Sequence, residues 1–342
     1  MKEQQRLLFQ KLSNKLSGKT ILVSGATGLI GARILALIGI LHKEFDQSIC
    51  GVGLYRDEDK KNRCFPTLPQ GITMCQWNAE NISMTLPQHN AIIHCAGISG
   101  GSKMHLKDPL KIYQTNVEGT RNMLNYNVHH DKVPFLFVST YEVYGEVNQE
   151  QPFDETYPCH LDTFTLRNCY AEMKRMCEVL CCMYSSQFSF QSFSVRLTST
   201  FGEGVGYNDP RFFAEFARCI IEGRNIILKS TGSTIRSYLD ADDAAMGMLY
   251  VLAFGENGNA YNLTNMQNSI SIRDIAQKMI DVSETKTKLN FEIAENISSL
   301  GYRKDGCTLM DSSKLMALGW HPVYTLDETI IKLIESMKSN RQ

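Results

Sequence analysis

A chain of 342 residues is long enough to bury a full core and to form two lobes. Its 35 basic and 36 acidic residues nearly cancel, which argues against a general nucleic-acid or anionic-membrane surface and leaves room only for a local basic pocket. Eleven cysteines occur without a Cys-x-x-Cys pair or a Cys/His spacing suited to zinc, so free thiols in a reducing cytoplasm are expected, and no metal site.

No apolar run approaches the roughly 18 residues of a membrane span. Leu7-Leu8-Phe9 is interrupted by Gln10 and Lys11, which is too short for a signal-peptide core. Leu8, Leu12 and Leu16 fall at helical spacing and mark residues 1–17 as an amphipathic extension, expected to lie on its own domain. Next comes Thr20–Gly31. Ile21-Leu22-Val23 reads as a buried parallel strand, three glycines follow at three-residue spacing, and a helix opens at Leu29-Ile30. Gly25 suits a tight turn, Gly28 a close approach of backbone to a pyrophosphate, and Gly31 a helix packed close to the strand. Thr27, Leu29 and Ile30 complete a helix N-terminus whose free N–H groups favour a dinucleotide pyrophosphate.

The helix Leu29–His42 leads to a second strand, Ile49–Leu54, ending in Tyr55-Arg56-Asp57. This end meets an adenosine ribose, where a carboxylate suits NAD and an arginine suits the 2′-phosphate of NADP. Arg56 tilts the choice toward NADP, while Asp57 keeps NAD open. Ile72–Gln76 is a third strand, followed by Asn78 and Ala79, and Ala91–His94 a fourth, followed by Cys95-Ala96-Gly97. Small residues such as Ala96 and Gly97 beyond a strand end let a ligand approach closely. A long helix, Asp108–Val128, contains Asn116, and a fifth strand, Phe135–Val138, runs into Ser139-Thr140-Tyr141-Glu142. Asn78, Ala79, Asn116 and Ser139 join the expected cofactor set. Strands alternating with helices predict an α/β fold with a doubly wound parallel sheet.

A polar loop, Gln149–Asp162, precedes the helix Asn168–Ser185, and Phe190–Leu197 is a further strand. Beyond Thr198 the pattern is less regular. It holds helices at Arg211–Glu222 and Asp240–Phe254, short strands at Ile226–Leu228 and Ile235–Leu239, and a mixed tail, Tyr261–Met337. The expected division is a dinucleotide-binding domain over 18–197, to which 236–255 returns, and a smaller α/β substrate lobe over 198–342.

Tyr170 and Lys174 stand four apart and hence on one helix face. A phenol has a reference pKa of about 10. A neighbouring ammonium and an oxidised nicotinamide both favour the phenolate. Such a tyrosine takes a hydroxyl proton as hydride leaves the same carbon, and returns it in reverse. The hydroxyls of Ser139 and Thr140 are placed by the sequence to hold that oxygen.

With these motifs the chain resembles an extended short-chain dehydrogenase/reductase of the NAD-dependent epimerase/dehydratase family, which acts on nucleotide sugars. The resemblance runs from Gly18 to Trp320. It rests on the glycine loop, Thr115-Asn116-Val117, Ser139–Gly145, Tyr170/Lys174, the strand bearing Arg196, Ile235-Arg236-Ser237-Tyr238, and Asp311 with Leu318-Gly319-Trp320-His321-Pro322. It implies a Rossmann domain with bound NAD or NADP that oxidises C4 of a nucleoside-diphosphate sugar. Tyr170 would be the base, Lys174 would hold the nicotinamide ribose, and Thr140 would bond the C4 oxygen. Arg236, with Arg211 and Arg303, would contact the nucleotide.

Glu142 points to the decarboxylase and 4,6-dehydratase branch, whereas Tyr141 stands where those relatives carry a serine or an acid, and is itself a candidate proton donor. Ser199 lies where many relatives have a substrate-binding asparagine. A 4-epimerase, a 4-keto-sugar reductase and a non-catalytic NAD(P)-sensing protein are the alternatives. The resemblance also implies a homodimer formed through the helices Asp108–Val128 and Asn168–Ser185.

Overall fold

The computed structural model describes residues 1–78, 85–98, 106–130, 132–147, 149–294 and 306–340. Helix α1 (Glu3–Leu16) precedes β1 (Thr20–Ser24), α2 (Leu29–Glu44), β2 (Cys50–Tyr55), α3 (Glu58–Cys64), β3 (Ile72–Gln76) and β4 (Ala91–His94). The next helix begins as α4 (Pro109–Tyr113), passes through a π-helical turn at Gln114–Glu118 and continues as α5 (Gly119–His129). Strand β5 (Phe135–Thr140), α6 (Cys169–Phe188) and β6 (Ser192–Leu197) complete the first half.

The second half contains β7 (Ser199–Phe201), α7 (Phe212–Glu222), β8 (Ile226–Leu228), β9 (Ile235–Asp240), α8 (Ala241–Phe254) and β10 (Asn259–Leu263). It ends with β11 (Ser269–Ser271), α9 (Ile272–Ser283), β12 (Leu289–Phe291), β13 (Cys307–Thr308), α10 (Ser313–Met316) and α11 (Leu326–Ser339).

Strands with near-continuous apolar runs need cover on both faces, and a parallel sheet receives it from crossover helices. The main sheet has the order β3-β2-β1-β4-β5-β6-β10, and every pair is parallel. One face packs on α1, α2 and α8 through Phe9, Ile34 and Leu249, joined by Trp320 from the segment after α10. The other packs on α5 and α6 through Met123, Leu124, Cys177 and Leu180. A third cluster, including Phe213, Phe216, Ile275 and Leu333, is the core of the C-terminal lobe. Strand order reverses between β1 and β4, so their carboxyl ends diverge and open the crevice where ligands of such sheets bind.

The extension at 1–17 packs its apolar face against α8. Leu8, Phe9, Leu12 and Leu16 are buried, and Tyr250 Oη donates to the Leu8 carbonyl at 3.1 Å. Three details differ from the sequence reading. Residues 259–263 are not part of a tail: β10 extends the main sheet with Tyr261 opposite Val195, a long-range pairing that local pattern does not encode. The helix Asp108–Val128 is interrupted by its π-turn, and its N-terminus is capped by Asp108, whose side chain accepts from Lys111 N. Strand β5 runs through Thr140 rather than stopping at Val138. Among the described residues no helix is long and apolar enough to cross a membrane.

Candidate active site

The loop after β1 is built against the end of β4. Gly25 has φ +65°, and a Cβ there would stand 2.7 Å from Ala96 N, so neither its conformation nor its surroundings admit a side chain. At Gly31 a Cβ would come within 2.4 Å of the Gly25 carbonyl oxygen, which keeps α2 close to the turn. Gly28 is the N-cap of α2 and offers no side-chain cap, leaving the N–H groups of the first turn to an outside acceptor. Thr27, Leu29 and Ile30 are half-buried beside it. This cradle fits the pyrophosphate of a dinucleotide.

Arg56 is exposed just beyond β2. Asp57, the residue that kept NAD open, caps α3 by accepting from Lys60 N at 2.9 Å. Asn78 is exposed after β3, and Ala79 lies outside the described residues.

Ala96 and Gly97 follow β4. A Cβ on Gly97 would meet Asn116 Oδ1 at 2.6 Å and Lys174 Nζ at 3.4 Å. Asn116 is buried in the π-turn, accepting from Ile98 N at 2.9 Å and donating to Ile98 O at 3.3 Å. A π-turn often marks a functional position, and here it carries the residue that braces the loop after β4.

Thr140 ends β5, and Tyr170 and Lys174 lie on α6 above it. Tyr170 is hydrogen-bonded to Thr140, and its phenol is pushed up by burial and by the Glu142 charge, with Thr140 and the Arg211 charge opposing. Lys174 Nζ donates to the Val138 carbonyl at 2.8 Å and stands 4.6 Å from the Phe137 ring. Burial pulls its pKa down from the usual lysine value. Tyr170 and Lys174 are therefore both buried on one face of α6, with Lys174 next to the Gly97–Asn116 brace.

Ser139 is a correction. Its side chain does not join Thr140 but donates to Glu178 Oε1 at 2.5 Å. Neighbouring residues of a strand face opposite ways, and the extension of β5 through Thr140 puts the two hydroxyls on different sides. Glu178 is further paired with Arg196, which donates to it at 2.8 and 3.2 Å.

Two arginines hold the residues after Thr140. Arg236 Nη1 donates to Tyr141 Oη at 3.0 Å. Arg167 donates to Glu142 at 3.0 Å, a pair that sequence reading missed because its partners lie 25 residues apart. The only sequence signal was a cation one turn before Tyr170. Arg211 pairs with Asp209 at 2.6 Å, lies 4.6 Å from the Phe213 ring, and extends its charge toward Tyr170. Ser199 begins β7 opposite Tyr238 of β9 and is half-buried, two residues along that strand from Arg236. Arg303 lies outside the described residues.

Over residues 21–264 the chain matches the NAD dependent epimerase/dehydratase family. UDP-glucuronic acid decarboxylase 1 of Danio rerio is 28% identical over 233 residues, which cover 68% of this chain and 53% of that protein. dTDP-D-glucose 4,6-dehydratase of Mus musculus is 28% identical over 228 residues, covering 66% and 61%. The chain thus spans little more than half the length of these relatives.

Among solved structures, UDP-glucuronic acid 4-epimerase from Bacillus cereus in complex with UDP-glucuronic acid and NAD is similar with a TM-score of 0.79 at 22% identity, covering 94% of this chain and 99% of that one. RMD from Pseudomonas aeruginosa complexed with NADPH gives 0.72 at 18% identity, covering 94% and 99%. These structural likenesses concern the fold.

Proposed function

Since the chain belongs to the NAD dependent epimerase/dehydratase family, we propose that it oxidises a nucleoside-diphosphate sugar at C4 and then eliminates from the keto sugar, as a decarboxylase or 4,6-dehydratase does. The observation that carries this reading is Tyr170, hydrogen-bonded to Thr140 and buried above Lys174 at the carboxyl end of β5. When bound, a nicotinamide dinucleotide supplies a hydride acceptor for C4 and a positive charge that favours the phenolate.

Gly25, Thr27, Gly28, Leu29, Ile30 and Gly31 would hold its pyrophosphate. Ala96, Gly97, Asn116 and Lys174 would line its nicotinamide end, with Asn78 nearer the adenosine. Exposed Arg56, beside an Asp57 already used as a cap, favours NADP over NAD.

Thr140 and Tyr170 hold the C4 oxygen, and Tyr170 takes its proton. Arg236 and Arg211 suit the diphosphate, since a guanidinium donates in a fork to phosphate oxygens; Ser199 lies along the same strand pair. Arg236 donates into the Tyr141 oxygen, and among the described residues the Tyr141 O–H has no acceptor. That proton is available to a substrate oxygen.

A homodimer would form through α4, α5 and α6, where Leu110, Tyr113, Met176, Val179 and Met183 are exposed. A reducing cytoplasm suits the eleven free cysteines.

The test is incubation with UDP-, dTDP-, CDP- and GDP-sugars, following product mass and the absorbance of reduced nicotinamide. Loss of water or carbon dioxide without net cofactor consumption is the expected result. A product of unchanged mass with inverted C4, read by NMR, would instead indicate an epimerase, and stoichiometric NADPH consumption a reductase.

A further inference from the structure

Glu142 sits in the 3-10 turn Tyr141–Tyr144 directly after Thr140, and Arg167 in the 3-10 turn Leu166–Asn168 one turn before Tyr170. Arg167 Nη1 donates to Glu142 Oε2 at 3.0 Å, and Nη2 reaches Oε1 at 3.5 Å. The two side chains are 14% and 13% exposed, so the pair is largely shielded from water. It therefore bridges the two segments that carry the catalytic hydroxyls, close enough for the Glu142 charge to act on Tyr170. A carboxylate engaged at both oxygens by one guanidinium is geometrically fixed. Accepting a proton from carbon would neutralise the carboxylate and forfeit the charge attraction that holds the pair.

Resting on the C4-oxidation reading above, we propose that Arg167 is a positioning residue that keeps Glu142 from acting as a base at C5. The keto sugar then loses a carboxylate rather than a C5 proton and a C6 hydroxyl, and the substrate class is a nucleoside-diphosphate uronate. In this step the C5–C6 bond breaks and carbon dioxide departs. The electron pair of that bond passes into an enolate on the C4 oxygen, held by Thr140 and Tyr170. C5 then takes one proton from solvent, the C4 ketone re-forms, and C4 regains its hydride. The hydrogen that C5 carried at the start stays throughout.

The experiment is turnover of UDP-glucuronic acid in heavy water, with the product read by mass and proton NMR. The intact enzyme should give product with a single deuterium at C5 beside the original hydrogen. Arg167→Gln frees Glu142 and should raise the doubly deuterated share by about tenfold or more. Adding Glu142→Gln to that variant should return the product to a single deuterium. Arg167→Lys keeps the cation but not the fork, should fall between, and carries the comparison if Arg167→Gln does not fold.

The proposal is overturned if the intact enzyme's product has lost its original C5 hydrogen, or if the arginine variants leave the label pattern unchanged. Dehydration of a UDP-hexose with no carbon dioxide from the uronate also overturns it, while leaving C4 oxidation standing. Absence of C4 oxidation in every sugar nucleotide would instead remove the underlying reading.

Discussion

His94 is sealed beneath the dinucleotide loop. Ser24 Oγ meets its Nδ1 at 2.7 Å, and Nε2 is buried without a hydrogen-bond partner among the described residues. Burial, then the Lys174 charge, pulls its pKa from 6.5 to about 3. The native state holds this ring neutral, whereas the unfolded chain takes up a proton below pH 6.5. Its contribution to stability is thus complete above 6.5 and is lost toward pH 3, at about 1.4 kcal/mol per pH unit. Urea midpoints should fall between pH 6.5 and 5 in the wild type and fall less in His94→Gln. Tyr170→Phe should lower turnover by about 10²–10⁴-fold with thermal unfolding unchanged, and unchanged turnover would contradict its role as base. Tyr170, Lys174 and Thr140 drew attention through motif order, a Tyr-x-x-x-Lys pair following a glycine loop and a strand ending in Ser139-Thr140, and the fold brings Tyr170 to Thr140. Ser139 was misread because two further residues of strand turned its hydroxyl away, and Arg167 because its partner is distant in sequence.

Elements were legible in type more than in extent. The glycine loop announced itself because a turn, a close approach and a helix start each demand a residue type at a fixed offset. The π-turn at Gln114–Glu118 left no such mark, since Thr115-Asn116-Val117 is compatible with an ordinary helix. Its effect is local: it carries Asn116 to both backbone groups of Ile98. Asn116→Ala should therefore weaken dinucleotide binding, measured by calorimetry, by roughly tenfold, about the worth of one or two hydrogen bonds. At the other end of the chain Thr325 and Glu328 form a reciprocal capping box on α11. Thr325→Ala should cost about 1 kcal/mol in denaturant unfolding. On α6, Met176 and Val179 face solvent. Changing both to glutamate should give a monomer by light scattering, and a wild type that is already monomeric would remove the proposed dimer.

The main sheet and the C-terminal lobe are tied by a charge network. Arg33 of α2 pairs with Asp242 at 2.6 Å and Glu203 at 2.8 Å, while Lys332 of α11 pairs with Asp240 at 2.8 Å and Asp242 at 2.7 Å. Lys332→Met would leave buried Asp240 without its cation and Asp242 with Arg33 alone, so a loss of about 3–5 kcal/mol is expected in urea unfolding. None of these partners is near another in sequence except Asp240 and Asp242, which is why the network was not legible beforehand. The same holds for α1, whose Lys2 bonds the Val323 carbonyl at 3.0 Å and pairs with Glu328 at 2.6 Å. Phe9 can stack on Phe45 early, 5.5 Å between ring centres. Its helix nonetheless waits for Tyr250, Val323 and Glu328, the last of which leaves the ribosome more than three hundred residues later. A segment made long before its partners is therefore among the last to settle, and its apolar face must be tolerated, or chaperoned, while the intervening residues are made.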